Sequence, residues 1–174
     1  MSNTAEMVSK VDTTVFDKEA VLNLVYPLGV VLMVVPSFAG VSIGLSKATH
    51  GICQAASIRN EIVLTLLPAG FIGVMVVYVI LLFFIGGKNK VPEEFSECLP
   101  WLAGQIIAGF GMFWGAVGLG EIAKIATVAT AQQKRFFASF LLLLVFGEFV
   151  GLFSMIIGLN LTLTWKSAPH SQKA

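Results

Sequence analysis

The sequence predicts an all-α membrane protein of four transmembrane helices arranged as two duplicated hairpins. Composition comes first: of 174 residues, 56% are hydrophobic and 12% charged, with a mean hydropathy of +0.87. A soluble domain carries roughly 25% charged residues. The second observation is the distribution of charge, which leaves four long runs with a single charged residue among them. The third is a repeat that superposes the two halves of the chain. Together these exclude a soluble monomer, a disordered chain and a nucleic-acid binder. Eleven Lys/Arg against ten Asp/Glu leave a net charge of +1, so no field of either sign points to a charged partner. Two cysteines are too few for a disulfide framework.

In chain order, residues 1–19 form a polar N-terminal segment. The first hairpin, 20–87, holds the uncharged runs Ala20 to Ser46 and Ile62 to Gly87, joined by Lys47 to Glu61. A connector follows at 88–97. The second hairpin, 98–165, holds Cys98 to Gly120 and Phe136 to Trp165, joined by Glu121 to Arg135, and a tail ends the chain at 166–174. A hydrocarbon core of about 30 Å needs roughly 20 helical residues, so each run crosses once. A barrel strand would alternate in polarity and be half as long, which leaves helices. Ala20 to Ser46 is too long for a cleaved signal peptide and follows the acidic residues Asp12, Asp17 and Glu19. Four crossings put both termini on one side. The Lys/Arg count on the two sides is nearly a tie, five against six, so the positive-inside rule leaves the orientation open.

A shift of 76 residues places Gly44 on Gly120, Arg59 on Arg135, Ser42 on Gly118 and Gly40 on Ala116. Each half is then a span rich in small residues, a basic connector ending in Arg, and a bulkier span. In the third span Gly104, Ala108, Gly111, Gly115 and Gly118 share one helical face; in the first, Ser37, Gly44, Ala48, Gly51 and Ala55 nearly do, with Gly40 and Gly44 as a small-xxx-small pair. Lipid cannot drive helices together, so such faces are where membrane helices approach closely. They could serve the chain's own bundle. A continuous stripe better suits the inner wall of an assembly of many copies, with the second and fourth spans as a lipid-facing outer layer.

One charge breaks the pattern. Glu148 sits near the middle of the last span, in Phe146-Gly-Glu-Phe-Val-Gly151, and the repeat places it opposite Ile72. An ionisable side chain at bilayer depth costs about 2.5–3.5 kcal/mol on insertion scales and marks a functional site by default. Exclusion of water favours the neutral acid, and no Lys, Arg or His lies inside the four runs to pair with it. A partner that comes and goes would make Glu148 a reversible proton carrier. Gly147 and Gly151 flank it and let a neighbouring helix come close. Gln105 is expected to bond a neighbouring backbone group, and Thr65, Ser154, Thr162 and Thr164 their own helix carbonyls. Tyr26, Trp101 and Trp165 read as interfacial anchors on one surface. Pro27, Pro36 and Pro68 read as kinks.

Other patterns carry no chemistry. Gly118-Leu-Gly-Glu-Ile-Ala123 has a dinucleotide-binding spacing but closes a membrane helix and follows no strand. Asn160-Leu-Thr162 is a glycosylation sequon inside the fourth run. His50 and His170, like Cys53 and Cys98, fall on opposite sides in the four-span topology. No metal site, cofactor or enzyme active site is expected.

The segment Thr130-Ala-Gln-Gln-Lys-Arg135-Phe-Phe, followed by Phe146-Gly-Glu-Phe-Val-Gly-Leu-Phe153, resembles the proteolipid (c) subunit of V-type, proton-translocating ATPases. There a TAQQPR-type segment precedes a helix whose motif Glu carries the proton. The likeness extends over about residues 30–165, including the duplication and the glycine-rich spans. Gly147 replaces the usual Ala, Lys134 the usual Pro, and Glu121 and Lys124 stand in a region that is usually Gly-rich with an Asp. The resemblance implies an oligomeric ring of proteolipids packed through Gly44, Gly104, Ala108, Gly111, Gly115 and Gly118. It implies Glu148 as the proton site, with Gln132, Gln133 and Arg135 as the motif before the last helix. Its partners would be a stator subunit with an intramembrane Arg, central-stalk subunits on the cytosolic connectors, and the bilayer, in a vacuolar or other acidic endomembrane. ATP hydrolysis would lie elsewhere in the complex. The competing expectations are a four-helix structural or junction protein, for which Glu148 is dispensable, and a sodium-coupled rotor, which needs several oxygen ligands around Glu148.

Overall fold

In the computed structural model, residues 18–58, 62–88 and 95–164 are described. All are helical apart from the short turn at the end of the third helix. Helix α1 runs Lys18–Ile58, α2 Ile62–Lys88, α3 Phe95–Gln132 and α4 Phe137–Thr164, with a 3-10 turn at Lys134–Phe136 before α4. Each contains a stretch long and apolar enough to cross a membrane. Arg59, Trp165 and His170 lie outside the described residues, as do the side chains of Thr65 and Thr164.

Both inner helices are longer than their uncharged runs. α1 continues unbroken from Ser46 to Ile58 and α3 from Gly120 to Gln132, where the charges suggested connectors. A charge ends a hydrophobic run but does not end a helix. Neither extension contains a proline, so the helical hydrogen bonding continues past the charges. The α3–α4 turn then closes tightly: Gln133 N–H donates to the Ala129 carbonyl at 2.9 Å and Phe136 N–H to the Gln133 carbonyl at 3.0 Å.

The most extensive packing is between α1 and α3, which lie side by side and parallel, so that repeat-equivalent residues meet. A Cβ on Gly120 would stand 2.5 Å from the Gly44 Cα, and one on Gly40 2.5 Å from the Phe113 Cα. Pro36 has no N–H, which frees the Leu32 carbonyl from helical hydrogen bonding, and Gly109 packs onto that carbonyl and Met33. Ser37, fully buried, donates to the Met33 carbonyl at 2.6 Å with the Gly109 carbonyl 3.4 Å away. Just beyond the uncharged runs, Lys47 and Glu121 form a 2.7 Å ion pair between the two helices. The pair is partly exposed and contributes little by itself.

The stripe on α3 is occupied within the chain. Gly104 and Ala108 meet Gly158 of α4, Gly111 meets Ser154, and Gly115 meets Gly151. Gly44 likewise faces Ala116 and Gly120. These residues therefore join the chain's own helices. Of the six small residues assigned to ring packing, Gly118 alone has open space around it. Two buried apolar clusters fill the bundle, one around Ile72, Met75, Leu119, Phe140 and Leu144, the other of Met33, Val79, Leu82, Ala108 and Met112. Exposed apolar side chains cover α2 and α4, as expected of a lipid-facing layer, but also one face each of α1 and α3, including Val35, Phe110, Trp114 and Ile125.

The glycine contacts give a contrast. Gly120→Val forces α1 from α3 and is expected to destabilise the extracted protein by about 1–3 kcal/mol, the cost of overpacking. Gly73→Ala, where nothing lies within 4 Å, is expected to stay within about 0.5 kcal/mol of the parent. Thermal denaturation of the two variants in one detergent measures the difference; equal losses would refute the packing.

Candidate functional site

Glu148 lies mid-way along α4 on the face turned to α2 and α3. Its neighbours on that face are the residues that let it sit deep. Gly147 is packed against Leu119 and Ile122 of α3, and a Cβ there would stand 2.7 Å from Leu119 Cδ2. Gly151 is packed against Met75 of α2, whose Cε would stand 2.8 Å from an added Cβ. The same methyl lies 3.1 Å from a Cβ placed on Gly115, so Met75 fills the notch where α2, α3 and α4 converge. The two glycines thus admit the chain's own helices.

This packing buries the carboxyl, and Glu148 is 8% exposed. One helical turn from Met75, Tyr78 turns its phenol toward Glu148, short of full hydrogen-bond geometry. Neither Oε1 nor Oε2 has a hydrogen-bond partner. A buried carboxylate left in this state forfeits its hydration without compensation, several kcal/mol in an apolar medium, whereas a neutral acid loses far less.

Other polar residues predicted to matter lie elsewhere. Gln132, Gln133 and Arg135 are exposed at the α3–α4 turn; Glu148 is thirteen positions beyond Arg135, so about 20 Å of helix separates them. Among the described residues, the hydrogen bond of Gln105 is to a side chain and not to the backbone or the carboxyl: its Nε2 donates to Thr162 Oγ1 at 3.2 Å, at the far end of α4. Thr162 in turn donates to its own helix at Gly158, 2.7 Å away, as expected. Ser154 does not follow that expectation; it donates to the Ile107 carbonyl of α3 at 3.3 Å. The cause of both departures is close approach at Gly104, Gly111 and Gly158, which brings a neighbouring helix within reach of short side chains. Trp101 packs inside the chain. It is 3% exposed and stacked on Tyr26, ring centroids 5.6 Å apart, with Gly29 beneath it.

Tyr78 is the site residue that sequence reasoning missed. A signal was present: interfacial Tyr belongs at the ends of a membrane helix, and Tyr78 sits in the middle of a span that is otherwise apolar over Leu66 to Gly86. Cys53, exposed, and Cys98, buried, are not joined in a disulfide. No cluster of three or more His, Cys, Asp or Glu capable of holding a metal occurs among the described residues.

Fold and site together define a membrane proteolipid of two helical hairpins with a single carboxyl at mid-span. Residues 102–161, the greater part of the second hairpin, match the family model of the ATP synthase C subunit. The c' subunit of the V-type proton ATPase of Eremothecium gossypii is 28% identical over 129 residues, covering 72% of this chain and 79% of that protein. One of the 16 kDa proteolipid (c) subunits of the V-type proton ATPase of Caenorhabditis briggsae is 26% identical over 127 residues, 70% and 79% of the two chains. The c' subunit of Saccharomyces cerevisiae is 25% identical over 137 residues, 76% and 84%. The chain is related to the proteolipid subunits of V-type proton ATPases.

If the Glu148 carboxyl is neutral and reached through lipid, a hydrophobic carbodiimide modifies it in preference to the water-exposed Glu121. Peptide mass mapping after limited labelling of native membranes is expected to find the adduct on Glu148. An adduct confined to Glu121 would show that Glu148 is ionised or sealed.

Proposed function

We propose that this chain is a proton-carrying proteolipid of the rotor ring in the membrane sector of a V-type ATPase, and that reversible protonation of Glu148 couples ring rotation to proton transport. The observation that carries the reading is the buried, unpartnered carboxyl of Glu148 in a chain whose four apolar runs contain no basic residue. An acid that crosses lipid in neutral form needs no permanent counter-ion. To release its proton it needs a cation supplied from outside, here an Arg of a stator subunit. Gly147 and Gly151 seat α4 closely on α3 and α2, so the carboxyl stays covered between encounters. The chain itself hydrolyses no ATP; in this reading, hydrolysis occurs elsewhere in the complex and central-stalk subunits dock on the helix extensions ending at Ile58 and Gln132. Those ends face the cytosol, the termini face the lumen, and the membrane is that of a vacuole or another acidic compartment.

Coupling to protons rather than sodium is supported by the coordination available. A sodium ion needs several oxygen ligands. Besides the carboxyl, Tyr78 supplies the neighbouring oxygen, while the hydroxyl of Ser154 is engaged with α3 and Gln105 lies at the end of the bundle.

Glu148→Gln keeps the shape and removes the titratable group. It is expected to reduce ATP-driven acidification of vesicles to background while the subunit still co-purifies with the assembled membrane sector. Acidification retained in that variant would overturn the proposal and favour a structural role. Carbodiimide labelling of Glu148 at fixed pH is expected to be unaffected by sodium; protection by sodium would replace protons with sodium as the coupling ion.

A further inference from the structure

At the end of the bundle where α1 begins and α2 ends, a small gap with room for about one water molecule opens between α1, α2 and α3. It is lined by Tyr26, Val30, Met33, Leu82, Phe83, Gly86, Trp101 and Gln105. Gly86 keeps it open: a Cβ there would find its nearest neighbours only at 3.8 Å, Thr162 Cγ2, and 4.0 Å, Gln105 Nε2. Gln105 is 3% exposed, and one of its carboxamide N–H groups is spent on Thr162. A carboxamide has a second N–H and an acceptor oxygen. Tyr26 and Trp101, each with one polar group on its ring, belong to the same lining. Buried waters occupy polar gaps of this size where two to four hydrogen-bonding groups converge, whereas apolar ones stay dry.

We propose that this gap is a bound-water site, with Gln105 as its principal ligand and the Tyr26–Trp101 stack as its cover. Met33 and Leu82 of the lining continue inward into one apolar cluster with Val79 and Met112. Leu82 lies one turn from Tyr78 on α2, so hydration from this end stops one turn short of the Tyr78–Glu148 pair. The apolar cluster thus lies between the wet gap and the carboxyl, and this holds whether or not Glu148 carries protons.

The methionines provide a test. Met33 lines the gap, whereas Met75 and Met112 do not, and all three are buried to 1% exposure or less. Millisecond radiolytic hydroxyl labelling oxidises a buried methionine fastest where a bound water supplies the radical. In the assembled protein in lipid nanodiscs, Met33 is expected to oxidise at least several-fold faster than Met75 and Met112. Gly86→Leu, which fills the gap, and Gln105→Leu, which removes the ligand, are each expected to slow Met33 to the rate of the other two. Met33 oxidation as slow as that of Met75 in the parent protein, or unchanged in both variants, would overturn the site.

Discussion

The structure depends on backbones that touch. In a bilayer the helices gain nothing by hiding apolar side chains from lipid, so association rests on dispersion contacts and on short polar links between helices. Dispersion falls steeply with separation, and only glycine and alanine let two helices close to the distance at which it counts. The contact of Gly44 with Gly120 joins the two hairpins, and those of Gly104, Gly111 and Gly115 with α4 close the second hairpin. Where close contact has been made, short side chains reach across: Ser154 to Ile107, Gln105 to Thr162. Without the glycines these hydrogen bonds would have no partner in range.

The carboxyl is a consequence of the same packing. Gly147 seats α4 on Leu119, Gly151 admits Met75, and Glu148, between them in sequence, is carried inward with its oxygens unsatisfied. Replacing either glycine with a larger residue would turn or lift α4 and expose the acid. The glycines are therefore as much a part of the site as the acid, although none bears a functional group.

Much of the fold was legible in sequence because the bilayer imposes a length. Four runs of low charge can be counted, and the 76-residue repeat pairs them. The helix ends were not legible, since Lys47 and Glu121 end an apolar run without ending a helix. They face each other as an ion pair on the extension of α1 and α3. The small-residue stripe was legible as a packing face, but its partner was not. Spacing along α3 establishes that Gly104, Ala108, Gly111 and Gly115 share a face, and it carries no information on whether a helix of the same chain or of another copy covers it.

Composition and periodicity, acting through helix length and the cost of charge in lipid, determined a four-span membrane protein with one acid that demands explanation. Those are properties of single helices against solvent, and a sequence states them directly. The tertiary structure decided which neighbours the acid has: Tyr78 rather than Gln105, Met75 in the notch, Arg135 some turns away. It also decided that the small faces are occupied within the chain and that Trp101 is buried over Gly29. Those are properties of how helices rotate and translate against one another. Sub-ångström differences in backbone approach govern them, and no spacing along a single helix encodes that.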